Sequence, residues 1–211
     1  MSLNYGTLKT QILEDAHRPG LTSKVDDFVR HAEGMIARRL RCTEMITRVD
    51  LTDSDRVTAG EGFFTLPSDF LEDRSLYLEG SPQVRLEKTS LSELRTLSTS
   101  APVRYYGIVS DDEIEFRGIP SDTATLELIY FARPAAFSAD GDTNEILTNH
   151  EIIYLAGALN ALYAYTQDRE LAADAGNVFL DAVETLNEQA GRAFGGTRGR
   201  GFYELSSWDG R

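Results

Sequence analysis

The spacing of hydrophobic and polar positions along this chain changes twice. From Leu3 to Ala16, apolar residues fall at Leu8, Ile12, Leu13 and Ala16, a helical face closed by "HRPG". In "LTSKVDDFVRHAEGMIARRLRC", Val25, Phe28, Val29, Ala32, Met35, Ile36 and Leu40 recur at intervals of three and four, which predicts a strongly amphipathic helix. Thr22 or Ser23 can cap its start. Asp26 and Asp27 fall in its first turn and Arg38, Arg39 and Arg41 in its last, each sign of charge suiting the helix dipole.

From about residue 47 the period drops to two. "RVDLTD", "GFFTLP", "SLYLEG" and "QVRLEK" are short alternating segments, interrupted by a helical turn at "SLSELRTLS". "VRYYGIVSDDEIEFRGIPSDTATLELIYFARP" reads as three consecutive strands. They form an antiparallel meander, because no helix of crossover length separates them. Ile114 and Phe116 share one face of their strand, Glu113 and Glu115 the other. The run from Leu126 to Phe131 is apolar on both faces except at Glu127, which predicts the most central strand.

After "AAFSADGDTNEILTN" the helical period returns. "NHEIIY" opens one helix, with a stripe of Ile152, Leu155, Ala156, Leu159, Leu162 and Tyr163, and with Gly157, Ala158 and Ala161 small enough for close helix contact. Asp168 caps a second, whose inner face is Leu171, Ala175, Val178, Phe179, Ala182, Leu186 and Ala190 and which Gly195 and Gly196 stop. The expected fold class is α+β: a four-helix bundle-like body of residues 1–46 with 148–194, a β-rich insertion over 47–147, and an extended C-terminal arm over 195–211.

Charge sharpens this picture. The net charge of −13 is uneven: +2 over residues 1–42, −11 over 43–148, −5 over 149–194 and +1 over the rest. An acidic body lacks the clustered Lys and Arg that hold nucleic-acid phosphates, so tight duplex binding is not expected. No apolar run approaches the roughly 18 residues of a membrane span, and the start has no secretory pattern. A soluble protein made in the cytosol is expected.

Candidate chemistry adds little. Cys42 is the only cysteine, which excludes an intrachain disulfide and a cysteine-rich zinc site and reads as a bland half-buried thiol. His17, His31 and His150 have no metal-site spacing. No serine-hydrolase elbow, P-loop or dinucleotide fingerprint occurs, and "GGTRGRG" follows a helix instead of opening one. "DGDTNE" sets Asp140, Asp142 and Asn144 at alternate positions, but Gly141 is misplaced for a calcium loop. Phe63, Phe64, Tyr77, Tyr105, Tyr106, Phe116, Tyr130 and Phe131 read as core or interface, since positive charge does not accompany them. No catalytic residue, cofactor or metal is assigned.

The ending "FGGTRGRGFYELSSWDGR" stands apart. It carries the only tryptophan beyond a helix already closed by glycine, so the arm is expected to pack on something else. Phe202, Tyr203, Leu205 and Trp208 would fill apolar pockets while Arg198 and Arg200 meet carboxylates.

Four stretches together resemble the head-to-tail adaptor proteins of short-tailed bacteriophages: "LKTQILEDAHRPGLTSKVDDFVRHAEGMIARRLR", "LPSDFLEDRSLYLEG", "PVRYYGIVSDDEIEFRGIPSDTATLELIYFARP" and "NEILTNHEIIYLAGALNALYAYTQDRELAADAGNVFLDAVETLNEQAGRAFGG". The resemblance covers nearly the whole chain, in order. It implies a structural virion protein made in the host cytoplasm: a ring of twelve copies beneath the portal protein that lengthens the DNA channel and forms a platform for tail or nozzle proteins. It implies a C-terminal extension that engages the portal or a neighbouring copy, and no membrane contact. Carboxylates lining such a channel would repel passing duplex DNA, with Asp111, Asp112, Glu113, Asp140 and Asp142 as candidates. Two alternatives fit the sequence as well: another virion ring, such as a tail-completion or gatekeeper protein, and a small enzyme with an unrecognised carboxylate site.

Overall fold

The computed structural model describes residues 3–58, 61–98, 102–118 and 120–194. The helical elements are α1 (Tyr5–Asp15), α2 (Val25–Arg39), α3 (Leu91–Leu94), α4 (Glu145–Asn149), α5 (Glu151–Tyr165) and α6 (Arg169–Phe194). The strands are β1 (Ile46–Leu51), β2 (Phe63–Thr65), β3 (Phe70–Leu78), β4 (Val84–Arg85), β5 (Glu87–Lys88), β6 (Tyr105–Ile108), β7 (Glu113–Arg117) and β8 (Leu126–Ala132). The α+β class holds.

The first helix shows how local chemistry sets an element. The Thr7 amide donates to the Asn4 side chain, and Asn4 N donates to Thr7 Oγ1, a reciprocal capping box. The first-turn amides of Tyr5 and Gly6 donate to the carbonyls of Asp142 and Asp140, at 2.8 Å each. Thus the loop before α4 closes the helix end that α1 cannot close alone. At the other end His17 takes a positive φ of 52° and its amide returns to Glu14 O, stopping the helix where "HRPG" predicts. Helix α2 starts later than expected. Thr22 bonds back to Pro19 O instead of capping, and the N-cap is Lys24, without a side-chain bond.

The helices are arranged around α5, which packs against α1, α2 and α6, so the body has a central helix in place of two equivalent pairs. Ile153, Tyr154, Ala156, Ala158 and Leu162 of α5 are buried, whereas Ile152, expected on the inner stripe, is 44% exposed. A helix covered by three neighbours buries more than one stripe, and the stripe read from spacing is therefore displaced. Gly157 lets α2 approach: a Cβ there would lie 3.0 Å from Ala32 Cβ.

The β part is two four-stranded sheets around a shared core. One has the order β1-β8-β3-β4 and is antiparallel throughout; the other has the order β2-β7-β6-β5, with β5 parallel to β6. The expected meander is therefore corrected. β6 and β7 form a hairpin, but β8 leaves them for the other sheet, and β5, which precedes α3 in the chain, pairs parallel to β6. Leu51, Leu76, Leu126 and Leu128 of one sheet meet Phe64, Tyr106, Ile114 and Phe116 of the other. β8 is flanked on both sides, as its composition predicts, by β1 and β3. Its two apolar faces serve different cores: Leu126, Leu128 and Tyr130 belong to the β core, and Phe131 packs on the helical one.

Candidate assembly surfaces

The two cores are joined at the end of α2. Arg41 Nη1 donates to the carbonyls of Ala37 and Leu40, closing the helix, while Nε reaches Glu72 of β3 at 2.9 Å and the guanidinium lies 6.0 Å from the Phe131 ring of β8. The Arg41 amide donates to Asn187 of α6, whose side-chain amide donates to Arg39 O. One arginine thus links α2 with β3 and β8 through its side chain and with α6 through its backbone. Its sequence position in the last turn predicts the dipole role but none of these long-range partners.

Beside this junction Cys42 is buried, and burial together with the adjacent Glu44 pushes its thiol up to about 12, more inert than the half-buried group expected. Burial also acts to raise the Glu44 carboxyl. Bonds from His150 (3.1 Å), Thr43, Cys42 and its own backbone outweigh that and hold it at about 2. His150 stands at the N-cap of α5, as its sequence context predicts.

The acidic residues singled out from sequence separate into two places. Asp111 and Asp112 are exposed at the turn between β6 and β7, with half-buried Glu113 opening β7. Ser110 Oγ bonds Asp112, and the Asp112 carbonyl receives Leu66 N. Asp140 and Asp142 instead belong to the loop that closes α1. Asp140 pairs with Lys9 at 2.6 Å, and Lys9 also reaches Asp26 at 3.3 Å. The amides of Ala139 and Ser138, with the Ser138 hydroxyl, hold the Asp142 carboxylate below its usual range. These two side chains are engaged in holding the loop.

Two carboxylates of the strands are buried. Glu115 is 2% exposed beneath α3, with Arg117 Nη2 at 3.3 Å and Arg95 Nε at 3.6 Å. Glu127 receives Gln83 at 2.6 Å and Arg48 at 2.8 Å. The β-segment aromatics are core, as expected, at Phe64, Tyr106, Phe116 and Tyr130, and half-buried at Phe63, Tyr77, Tyr105 and Phe131. Tyr106 donates to Asp73 and Tyr130 to Asp69, and burial followed by these bonds raises both phenols.

Helix α6 departs most from its expected face. Phe179, Val183 and Ala190 are buried and Leu186 packs on the helical core, but Leu171 and Val178 are 43% and 47% exposed. Val183, absent from the expected stripe, takes their place. Arg198, Arg200, Phe202, Tyr203, Leu205 and Trp208 lie outside the described residues. Among the described residues no group of three or more His, Cys, Asp or Glu side chains could hold a metal ion, and no helix is long and apolar enough to cross a membrane. An open hollow beside α1 is lined by Asn4, Thr7, Gln11, Glu14 and Asp140.

No curated protein matches the sequence. The family model described as SU10 adaptor protein matches residues 3–201, running through both cores and past the end of α6. The chain belongs to the SU10 adaptor protein family, a family of phage head-to-tail adaptors.

Proposed function

We propose that this adaptor works as a closed ring of twelve copies attached below the portal protein, extending the DNA channel and offering a platform to tail or nozzle proteins. The observation that carries the reading is the family match over residues 3–201, which takes in the helical body, the β part and the start of the C-terminal segment as one unit. It is a structural role without a catalytic step, in the virion, after synthesis in the host cytoplasm. The domain division follows: the helical body of 1–46 and 148–194 packs in the ring, the insertion of 47–147 projects from it, and the arm of 195–211 reaches a partner.

In this reading Phe202, Tyr203, Leu205 and Trp208 anchor the arm in apolar pockets of the portal or a neighbouring copy, with Arg198 and Arg200 on carboxylates. Anchors of this type commonly cost about 2 kcal/mol or more when truncated. The exposed Asp111 and Asp112 are the acidic groups best placed to meet a passing duplex, with Glu113 beside them; Asp140 and Asp142 contribute charge from the loop on α1. Electron microscopy of the purified protein with and without its portal tests the proposal. Rings are expected only with portal, and a chain ending at Gly196 should fold and fail to attach. Attachment by the truncated chain, or a stable closed dimer of the free protein, overturns it.

A further inference from the structure

The exposed flank of α6 is an apolar strip that the described fold leaves uncovered. At about 100° per residue, Leu171 and Val178 lie within about 20° of each other around the helix, with the half-buried Ala175 and Ala182 between them and the buried face. Exposed Asp174 and Asp181 border the strip on its solvent side. A second copy of this face would set carboxylate against carboxylate, so like-with-like pairing of α6 is opposed. The strip calls for an apolar ligand that carries positive charge.

The chain itself contains such a segment. Residues 195–211 follow α6 directly and hold Arg198, Arg200, Phe202 and Trp208. We propose that in the free protein this segment turns back along its own α6 and covers the strip from Val178 to Leu171. The dimensions agree. Along the helix axis Asp181 lies about 20 Å, Val178 about 24 Å and Leu171 about 35 Å back from Phe194, at 1.5 Å per residue. An extended chain gains about 3.3–3.6 Å per residue; with about four residues spent on the reversal after Phe194, this brings Leu205 level with Val178 and Trp208 level with Leu171. A short tether supplies an effective concentration in the millimolar range, so at micromolar protein the chain's own segment outcompetes a neighbour's. The same side chains cannot hold α6 and the portal together, so attachment exchanges one for the other.

Trp208 is the only tryptophan, and its fluorescence reads the contact directly. The full-length protein should emit at shorter wavelength than a synthetic peptide of residues 195–211, by a shift that dilution does not change. Val178→Asp or Leu171→Asp should return the emission to the peptide value with circular dichroism unaltered. Leu180→Asp should leave the shift intact, because Leu180 is 43% exposed on the flank about 160° away from Val178. Peptide-like emission in the unmutated protein, or a shift that survives Val178→Asp, overturns the proposal. A shift that fades on dilution assigns the strip to a second copy and overturns it equally. Either failure leaves the portal reading of the arm standing, since that is tested with portal present.

Discussion

Arg41 bridges the two cores, and its replacement should be felt in both. Arg41→Ala removes the bonds to Ala37 O and Leu40 O, the Glu72 pair and the Phe131 contact. A loss of about 1–3 kcal/mol is expected in urea unfolding, the usual cost of leaving half-buried acceptors unpaired. Arg41→Lys should restore only part of it, because a lysine cannot fork between carbonyl and carboxylate. Glu44 contributes a pH dependence with a definite sign. Its folded value of about 2 lies below the ordinary 4.5, so its stabilisation is complete above about pH 4.5 and disappears as pH falls towards 2. Acid unfolding curves of Glu44→Gln should be flatter than the parent's over that interval. Cys42, buried and with its thiol raised to about 12, should react with a disulfide reagent only as fast as the protein unfolds. None of these partnerships is visible in sequence: Arg41 and Glu72, or Glu44 and His150, are brought together by tertiary packing that local spacing does not encode.

At the scale of elements, the α2–α5 contact depends on Gly157 facing Ala32. Gly157→Val must push the helices apart, and overpacking of this kind costs about 1–3 kcal/mol; a lowered denaturation midpoint is expected, larger than for the same change at the unobstructed Gly191. Periodicity identified α1, α2, α5 and α6 and the central place of β8, because each has an apolar pattern long enough to exclude the other period. It misjudged α6, where Leu171 and Val178 continue the stripe of Phe179 and Leu186 although α5 covers only part of its width. A stripe records which residues avoid water, not how wide the covering neighbour is. Periodicity gave no sign that Glu115 is buried, because Arg95, which reaches it from the end of α3, is distant in sequence. The meander failed for a related reason. The turn after β7 permits either a third hairpin strand or a passage to the facing sheet, and the choice is made by β1 and β3 on either side of β8.

For the whole molecule, charge decides what the free protein does with DNA. With −13 overall and most of it between residues 43 and 148, few phosphate counterions can be released on contact, so a filter assay at moderate salt should retain no duplex. Salt-sensitive binding tighter than about micromolar would contradict this, being above the ordinary non-specific range. Light scattering at micromolar concentration should find a monomer-dominated sample, with closed symmetry gained only on a template. The two-core construction has a mechanical consequence. Each part has its own buried core, and the seam between them includes one arginine and apolar contacts at Leu71 and Phe131. A load drawn between the sheets and the helices would therefore strain that seam first, tilting the sheets as a block against the helices while both interiors keep their packing. Compliance located there would let the chain yield to such a load without unfolding.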